Sequence, residues 1–355
     1  MLNDYNRTDK TPEKDDKFRI MVFGDFGRFE NYFRIGETAE VMSQLAQQKH
    51  YEYFITTGDN FYPKGIPYMW FRLIPWVAMT NFKRSPIRNT LIYPTLGNHD
   101  CYGSTENTIN YSNYDSQWTL GEEYYVMKQP MNDDPSKYFV NLMLNSCKLF
   151  CPTDEFSDLN EECRDMHIEP GSEDVSVHYQ WLEEQLKLYS TNPNVAWLAI
   201  SMHHPAFLEQ GEKKYLLPLL RKYKVDIMFV GHDHWSEYAN MDPEYEIRFP
   251  NSRRGPVIDD CHGTTEIINT ETREVTFPKG VYLHQFLAGS GGADLDDICP
   301  YEDQDGKVYW RSIEGYGVLA VEMNSTHFSG RFVIGNQKEL YKVNIVNENS
   351  ARASE

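Results

Sequence analysis

Five short stretches of this 355-residue chain carry side chains that bind cations. They are GDFG with Asp25, GDNFY with Asp59, Asn60 and Tyr62, GNHD with Asn98, His99 and Asp100, MHH with His203 and His204, and GHDH with His232 and His234. Singly, each is ordinary: an Asp after an apolar run is more often a turn or a helix cap, and a His there is usually hydrogen-bonded where it sits. Together they are not, because each stands where a strand-like apolar run stops, and ligands of open α/β sheets bind outside the carboxyl ends of strands. Four of the five clusters closely follow a Gly, whose missing Cβ lets backbone approach an ion or ligand.

Asp25, Asp59, Tyr62, Asn98, His203, His232 and His234 make seven donors. That exceeds the ~4 to 6 ligands of one ion that must keep a position open for water. Two ions sharing Asp59 fit better. In two-metal hydrolytic sites the ions stand ~3.5 to 4 Å apart, clamp attacking and leaving oxygens and lower the pKa of a bound water toward ~7, chemistry suited to phosphate esters. Tyr62 turns its phenol to an ion only if that ion is acidic enough to displace the proton near neutral pH, which a hard trivalent ion does more readily than zinc. A trivalent and a divalent ion, set against two carboxylates, a phenolate and a hydroxide, leave a small positive charge to attract phosphate.

The elements that must position these residues alternate. The pattern predicts a strand at Phe18 to Phe23, a helix through Ala39 to Lys49, a strand at Tyr53 to Thr57, a helix near Tyr68 to Thr80 and a strand at Leu91 to Thr95. Further on it predicts a helix over Val175 to Tyr189, a strand over Ala196 to Met202, a helix over Tyr215 to Tyr223 and a strand over Ile227 to Val230. Runs such as FRIMVF, AWLAIS and DIMFV are almost wholly apolar, as expected of sheets covered on both faces. The reading is an α/β layered domain, with the β-rich last third extending the sheet or adding a second one. Two stretches break the rhythm: acidic, turn-rich Cys147 to Gly171, and Met241 to Lys279, which suggests an inserted hairpin or lid. The aromatic residues from Tyr68 to Trp76, with Tyr111, Tyr114 and Trp118, receive no chemical role, since packing explains them.

Composition narrows the partners. With 34 Lys and Arg against 53 Asp and Glu, the formal charge of −19 opposes binding to nucleic acid or anionic lipid. No apolar run is long enough for membrane insertion, and Met1 to Lys17 lacks the apolar centre of a signal peptide. From Met1 as a natural start, the expected location is cytoplasmic or cytoskeleton-associated; from another start it is secreted or lysosomal. The six cysteines form no CxxC pair, leaving free thiols or disulfides, with the polar start favouring thiols.

The ordered set GDFG, GDNFY, GNHD, His203-His204-Pro205 and GHDH resembles the purple acid phosphatases, within the calcineurin-like metallophosphoesterases. It is more similar to the small tartrate-resistant type than to the large plant type. The resemblance runs from about Phe18 to Val343, leaving residues 1–17 as a polar extension and 344–355 as a tail, with insertions near 147–171 and 241–279. It implies a four-layer α-β-β-α sandwich of two mixed β-sheets flanked by helices. It also implies a ferric ion held by Asp25, Asp59, Tyr62 and His234, and a divalent iron, zinc or manganese held by Asp59, Asn98, His203 and His232. Asn98 and His99 would bind the phosphate, and His99 would protonate the leaving group. His204 stands where the family has an aromatic residue and is not counted as a ligand.

Two departures bear on turnover: Gln210 stands where the family has a second His, and Asn145 where it has an Asp. The expected function is therefore a binuclear acid phosphatase acting on a phosphorylated small molecule or phosphoprotein. The alternative is a phosphatase-like scaffold whose termini are held by protein assembly partners. Phosphodiester or phosphoprotein hydrolysis is a third use of the same clamp.

Overall fold

The computed structural model describes residues 12–68, 73–152, 160–207, 212–244, 265–267, 272–298 and 306–347. Its strands are β1 (Phe18–Phe23), β2 (Tyr53–Thr56), β3 (Ile92–Pro94), β4 (Tyr125–Pro130), β5 (Tyr138–Met143), β6 (Val195–Ser201), β7 (Ile227–Val230) and β8 (Ser236–Met241). They continue as β9 (Thr265–Ile267), β10 (Glu274–Pro278), β11 (Leu283–Ala288), β12 (Lys307–Ser312), β13 (Gly317–Met323), β14 (His327–Ile334) and β15 (Lys338–Val346). One sheet has the order β10-β15-β14-β13-β1-β2-β3, the other β4-β5-β6-β7-β11-β8-β12-β9. Within them β1, β2 and β3 are mutually parallel neighbours, as are β5, β6, β7 and β11.

The period-2 alternation of a strand explains why these runs carry so few polar residues. In β1, Ile20 and Val22 join a core with Phe229 of β7 and Phe286 of β11, between the sheets. Met21 and Phe23 face the other way, onto Ile35, Ala39 and Met42 of helix α1 (Tyr32–Gln48). The helical spacing of Ile35, Ala39, Met42 and Ala46 places them on one face, each large apolar side chain contributing about 1.5 to 3 kcal/mol on burial. In β7, Met228 and Val230 turn outward onto Leu182 and Leu186, which lie on a long helix of the opposite flank (Glu173–Ser190). Helices, sheet, sheet and helices thus stack as the four-layer sandwich the sequence suggested.

The remaining helices are α2 (Leu73–Thr80), α3 (Asn98–Cys101), α4 (Thr105–Asn110), α5 (Ser146–Phe150), α6 (Asn160–Asp165), α7 (Glu173–Ser190) and α8 (Leu217–Lys222). None among the described residues is long and apolar enough to cross a membrane. Two expectations meet a different outcome, and a third falls on residues not described. The leaning toward free thiols is overturned for four cysteines: Cys101 pairs with Cys147, and Cys151 with Cys163. The hairpin expected in 241–279 is not formed by its described strands, because β9 pairs with β12 in one sheet and β10 with β15 in the other. Gln210 lies outside the described residues.

Two fully buried imidazoles set an acid limit on stability. His178 of α7 stacks on Tyr124 with ring centroids 3.9 Å apart, and burial lowers its pKa to about 3; burial does the same to His284 of β11. A His with a depressed folded-state pKa leaves the unfolded chain the better proton binder, so stability is lost as pH falls from about 6.5 toward 3. His178→Phe is expected to gain stability relative to the parent by about 1.4 kcal/mol per pH unit below pH 6. Urea midpoints at pH 7, 5.5 and 4.5 check this; parallel pH profiles would refute it.

Candidate metal centre

The clusters leave the carboxyl ends of β1, β2, β3, β6 and β7 and meet where the two sheets adjoin. Asp25, Asp59 and His232 all have positive φ, at 57°, 51° and 74°. Such backbone is costly for residues other than Gly and persists where the surroundings impose it, often at functional sites. Glycines clear the space: a Cβ on Gly97 would stand 2.2 Å from Asp59 Oδ1, and one on Gly231 would stand 2.5 Å from Asp25 Oδ2. The loop after β2 is fixed from below. Asn60 donates to Thr95 O at 2.7 Å and to Asp100 Oδ2 at 2.8 Å, while Phe61 packs on Tyr111 and Trp118. Two of the aromatic residues left without a chemical role thus carry this loop.

Two groups of donors form, and Asp59 touches both. Ligand atoms of Asp25, Asp59 and His234 lie within 4.8 Å of one another. His234 Nδ1 donates to Asp294 O at 2.7 Å, which turns Nε2 toward Tyr62 Oη at 3.2 Å and Asp25 Oδ1 at 3.7 Å. In the second group, His203 Nδ1 donates to Thr57 O at 2.8 Å. His203 Nε2 therefore faces Asn98 Oδ1 at 2.9 Å, Asp59 Oδ1 at 3.3 Å and His232 Nδ1 at 3.3 Å. Two donors each ~2.0 to 2.2 Å from one ion stand ~3 Å apart, so this spacing suits a shared cation. His99 sits at the partly open mouth, its Nδ1 donating to Pro63 O at 2.7 Å and its Nε2 3.8 Å from Asp59 Oδ2.

Electrostatics match a site built for positive charge. Burial first, then the neighbouring Asp59, holds the Asp25 carboxyl well above its usual range. Burial also pushes at Asp59, but His203 and His99 outweigh it and keep that carboxyl low. Burial, with Asp59 and Asp25, holds the Tyr62 phenol well above 10, so only a strongly acidic cation makes it a phenolate at neutral pH. Burial keeps His203 below the usual imidazole range against the pull of Asp59, leaving a neutral lone pair suited to coordination.

The closest sequence signal for supporting residues was partial. Asp100 accepts from Gly97 N at 2.9 Å, Asn60 N at 3.1 Å and Phe61 N at 3.2 Å, tying two ligand loops together. Burial and Asp59 raise its pKa to about 7 despite those N–H donors. Ser146, acting through its hydroxyl, and Asp294, acting through its backbone carbonyl, leave no local pattern in the sequence. Asn145 caps α5 by accepting from Cys147 N at 3.1 Å and donates to Glu123 at 3.1 Å. Its neighbour Ser146 reaches the imidazole loop instead.

Residues 18–236 match the calcineurin-like phosphoesterase family. The chain belongs to that family. It is 26% identical over 233 residues to tartrate-resistant acid phosphatase type 5 of Rattus norvegicus, covering 62% of this chain and 67% of that protein. Two solved structures share the fold. GAP50 of Plasmodium aligns with TM-score 0.63 at 13% identity, over 92% of this chain and 88% of that one. Purple acid phosphatase PPD1 of yellow lupin (Lupinus luteus) aligns with TM-score 0.53 at 15% identity, over 95% and 55%. The resemblance drawn from the five clusters therefore extends to whole-chain architecture.

Proposed function

We propose that this phosphoesterase-family chain hydrolyses phosphate monoesters at a paired-ion centre. Asp25, Asp59, Tyr62 and His234 would hold a ferric ion, and Asp59, Asn98, His203 and His232 a divalent iron, zinc or manganese. The supporting observation is the position of Asp59, within 4.8 Å of the first group's ligand atoms and 3.3 Å from His203 Nε2 in the second. Bound there, such ions supply a water activated near neutral pH and a clamp for phosphoryl oxygens. The protein does the rest. Asn98 and His99 receive the phosphate at the mouth, and His99 Nε2, its ring oriented by Pro63 O, gives a proton to the departing alkoxide. The buried loops keep bulk water away from Asp25 and Asp59.

Metal analysis together with a p-nitrophenyl phosphate assay across pH tests this reading. Two ions per chain and turnover support it; no bound metal overturns it. Tyr62→Phe is expected to abolish a visible phenolate-to-iron absorption while keeping most of the fold, and an unchanged spectrum would remove Tyr62 from the ligand set.

A second reading is a phosphatase-like scaffold, favoured by the likeness to GAP50, described as the anchor in the inner membrane complex of Plasmodium. Two bound ions without turnover would favour it. The two disulfides support residence in an oxidising compartment, the secreted or lysosomal alternative, over the cytoplasm.

A further inference from the structure

Asn324-Ser325-Thr326 fits the Asn-x-Ser/Thr pattern of N-glycosylation, a weak signal that also occurs at Asn110 and at Asn6, the latter outside the described residues. The fold separates the two described positions. Asn110 ends α4, and the Ser112 that follows it is turned inward, its hydroxyl donating to Leu120 O at 2.9 Å beside buried Tyr111. Asn324 instead opens the turn between β13 and β14, where it is partly exposed. Its Oδ1 accepts the backbone N–H of Thr326 at 2.9 Å and of His327 at 2.7 Å. A backbone N–H only donates, so the inward atom of this amide is its oxygen and the outward atom is Nδ2. No acceptor among the described residues holds that nitrogen. Beside it opens a depression of about 270 Å³ whose lining includes Lys17, Thr276, His327 and Asn344, polar side chains that suit a sugar. The turn itself is fixed, since Trp197 Nε1 donates to Asn324 O at 2.7 Å and Ser325 N to Asp133 Oδ1 at 3.0 Å.

We propose that Asn324 is an N-glycosylation site. This goes beyond the phosphoesterase reading and rests on residence in an oxidising, secretory compartment, which the two disulfides support. The donor is an oligosaccharide linked to a lipid pyrophosphate, brought by a transferase of that compartment. The bond from sugar C1 to the pyrophosphate oxygen breaks, C1 bonds to Asn324 Nδ2, one amide proton passes to a base, and the lipid pyrophosphate leaves with the electron pair. Position sets the consequence. Met323 pairs with Phe18 at the start of β1, whereas Asp25 follows the end of that strand. The glycan therefore covers the end of the sandwich away from the metal centre and leaves the mouth beside His99 open.

The test reads the full chain, purified from its source, by peptide mass spectrometry after peptide N-glycosidase treatment in heavy-oxygen water, which converts a glycosylated Asn to labelled Asp. Label at position 324 in most chains is expected. Unlabelled Asn324 in chains whose Cys101–Cys147 bond is formed overturns the proposal while the compartment reading stands. Unlabelled Asn324 together with free thiols removes both. In chains secreted by eukaryotic cells, Asn324→Gln and Thr326→Ala should each lose the glycan from this peptide, and Thr326→Ser should keep it. Thr326→Ala retains both backbone N–H bonds to Asn324 Oδ1, so its loss of glycan cannot be laid to a broken turn. A Thr326→Ala chain that still carries the glycan on this peptide excludes Asn324 as the acceptor. Metal content should stay at the parental level in all three variants, which keeps this result separate from the paired-ion reading.

Discussion

Asp59→Ala is expected to release both ions together and to lower phosphate-ester turnover at least about a thousandfold, roughly 4 kcal/mol of transition-state stabilisation. The size of the effect follows from position. The carboxylate lies within 4.8 Å of ligand atoms on Asp25 and His234, 3.3 Å from His203 Nε2, and accepts the N–H of His99 at 2.9 Å. Removing a ligand from one group would spare the other ion; removing the one between them strips both. Because φ is 51° here, Ala also strains the backbone by about 1 kcal/mol, a small cost that circular dichroism can separate from metal loss. Asp59→Asn, whose residue type tolerates this conformation, is the companion variant and should also lose metal. A variant that keeps one ion per chain at parental affinity would show that Asp59 is not shared.

The second large effect is expected from the bond between Cys101 and Cys147. It closes a 46-residue separation, and replacing both by Ala should cost about 4 kcal/mol by loop-closure entropy, read as a lower urea midpoint. The damage should reach the metal centre. Cys101 ends α3, which carries Asn98 and His99, and Cys147 follows Ser146, whose hydroxyl accepts the backbone N–H groups of His203 and His204. Cys151 and Cys163 close a separation of only 12, so their double Ala variant should cost about 3 kcal/mol and leave metal affinity near the parental value. Equal loss of metal in both double variants would mean that the first bond has no special tie to the site.

Much of this architecture is legible residue by residue. FRIMVF and IMFV form strands because they are apolar at consecutive positions, and two-sided burial is what such runs require. The helix carrying Ile35, Ala39, Met42 and Ala46 follows from their spacing, although it starts at Tyr32, seven residues before the expected start at Ala39. The proposed metal ligands could be found because each cluster stands where an apolar run gives way to Gly, Asp, Asn or His. Less was visible where partners lie far apart. The leaning toward free thiols followed from the polar start of the chain, but pairing depends on which loops the sheets bring together. The aromatic residues Tyr111 and Trp118 carried no chemical signal, yet they support Phe61 between two proposed ligands.

By itself, then, the order of residues determined which apolar runs are the strands that carry the clusters, which side chains wait at their ends, and that those side chains are of cation-donor type. Tertiary structure decided that they meet. The N–H of His232 reaches Asp25 across 207 positions, and Ser146 reaches His203 across 57. Hydrophobic periodicity is written in windows of a few residues, whereas these contacts depend on strand order and on two sheets closing over one apolar layer, which no short window contains.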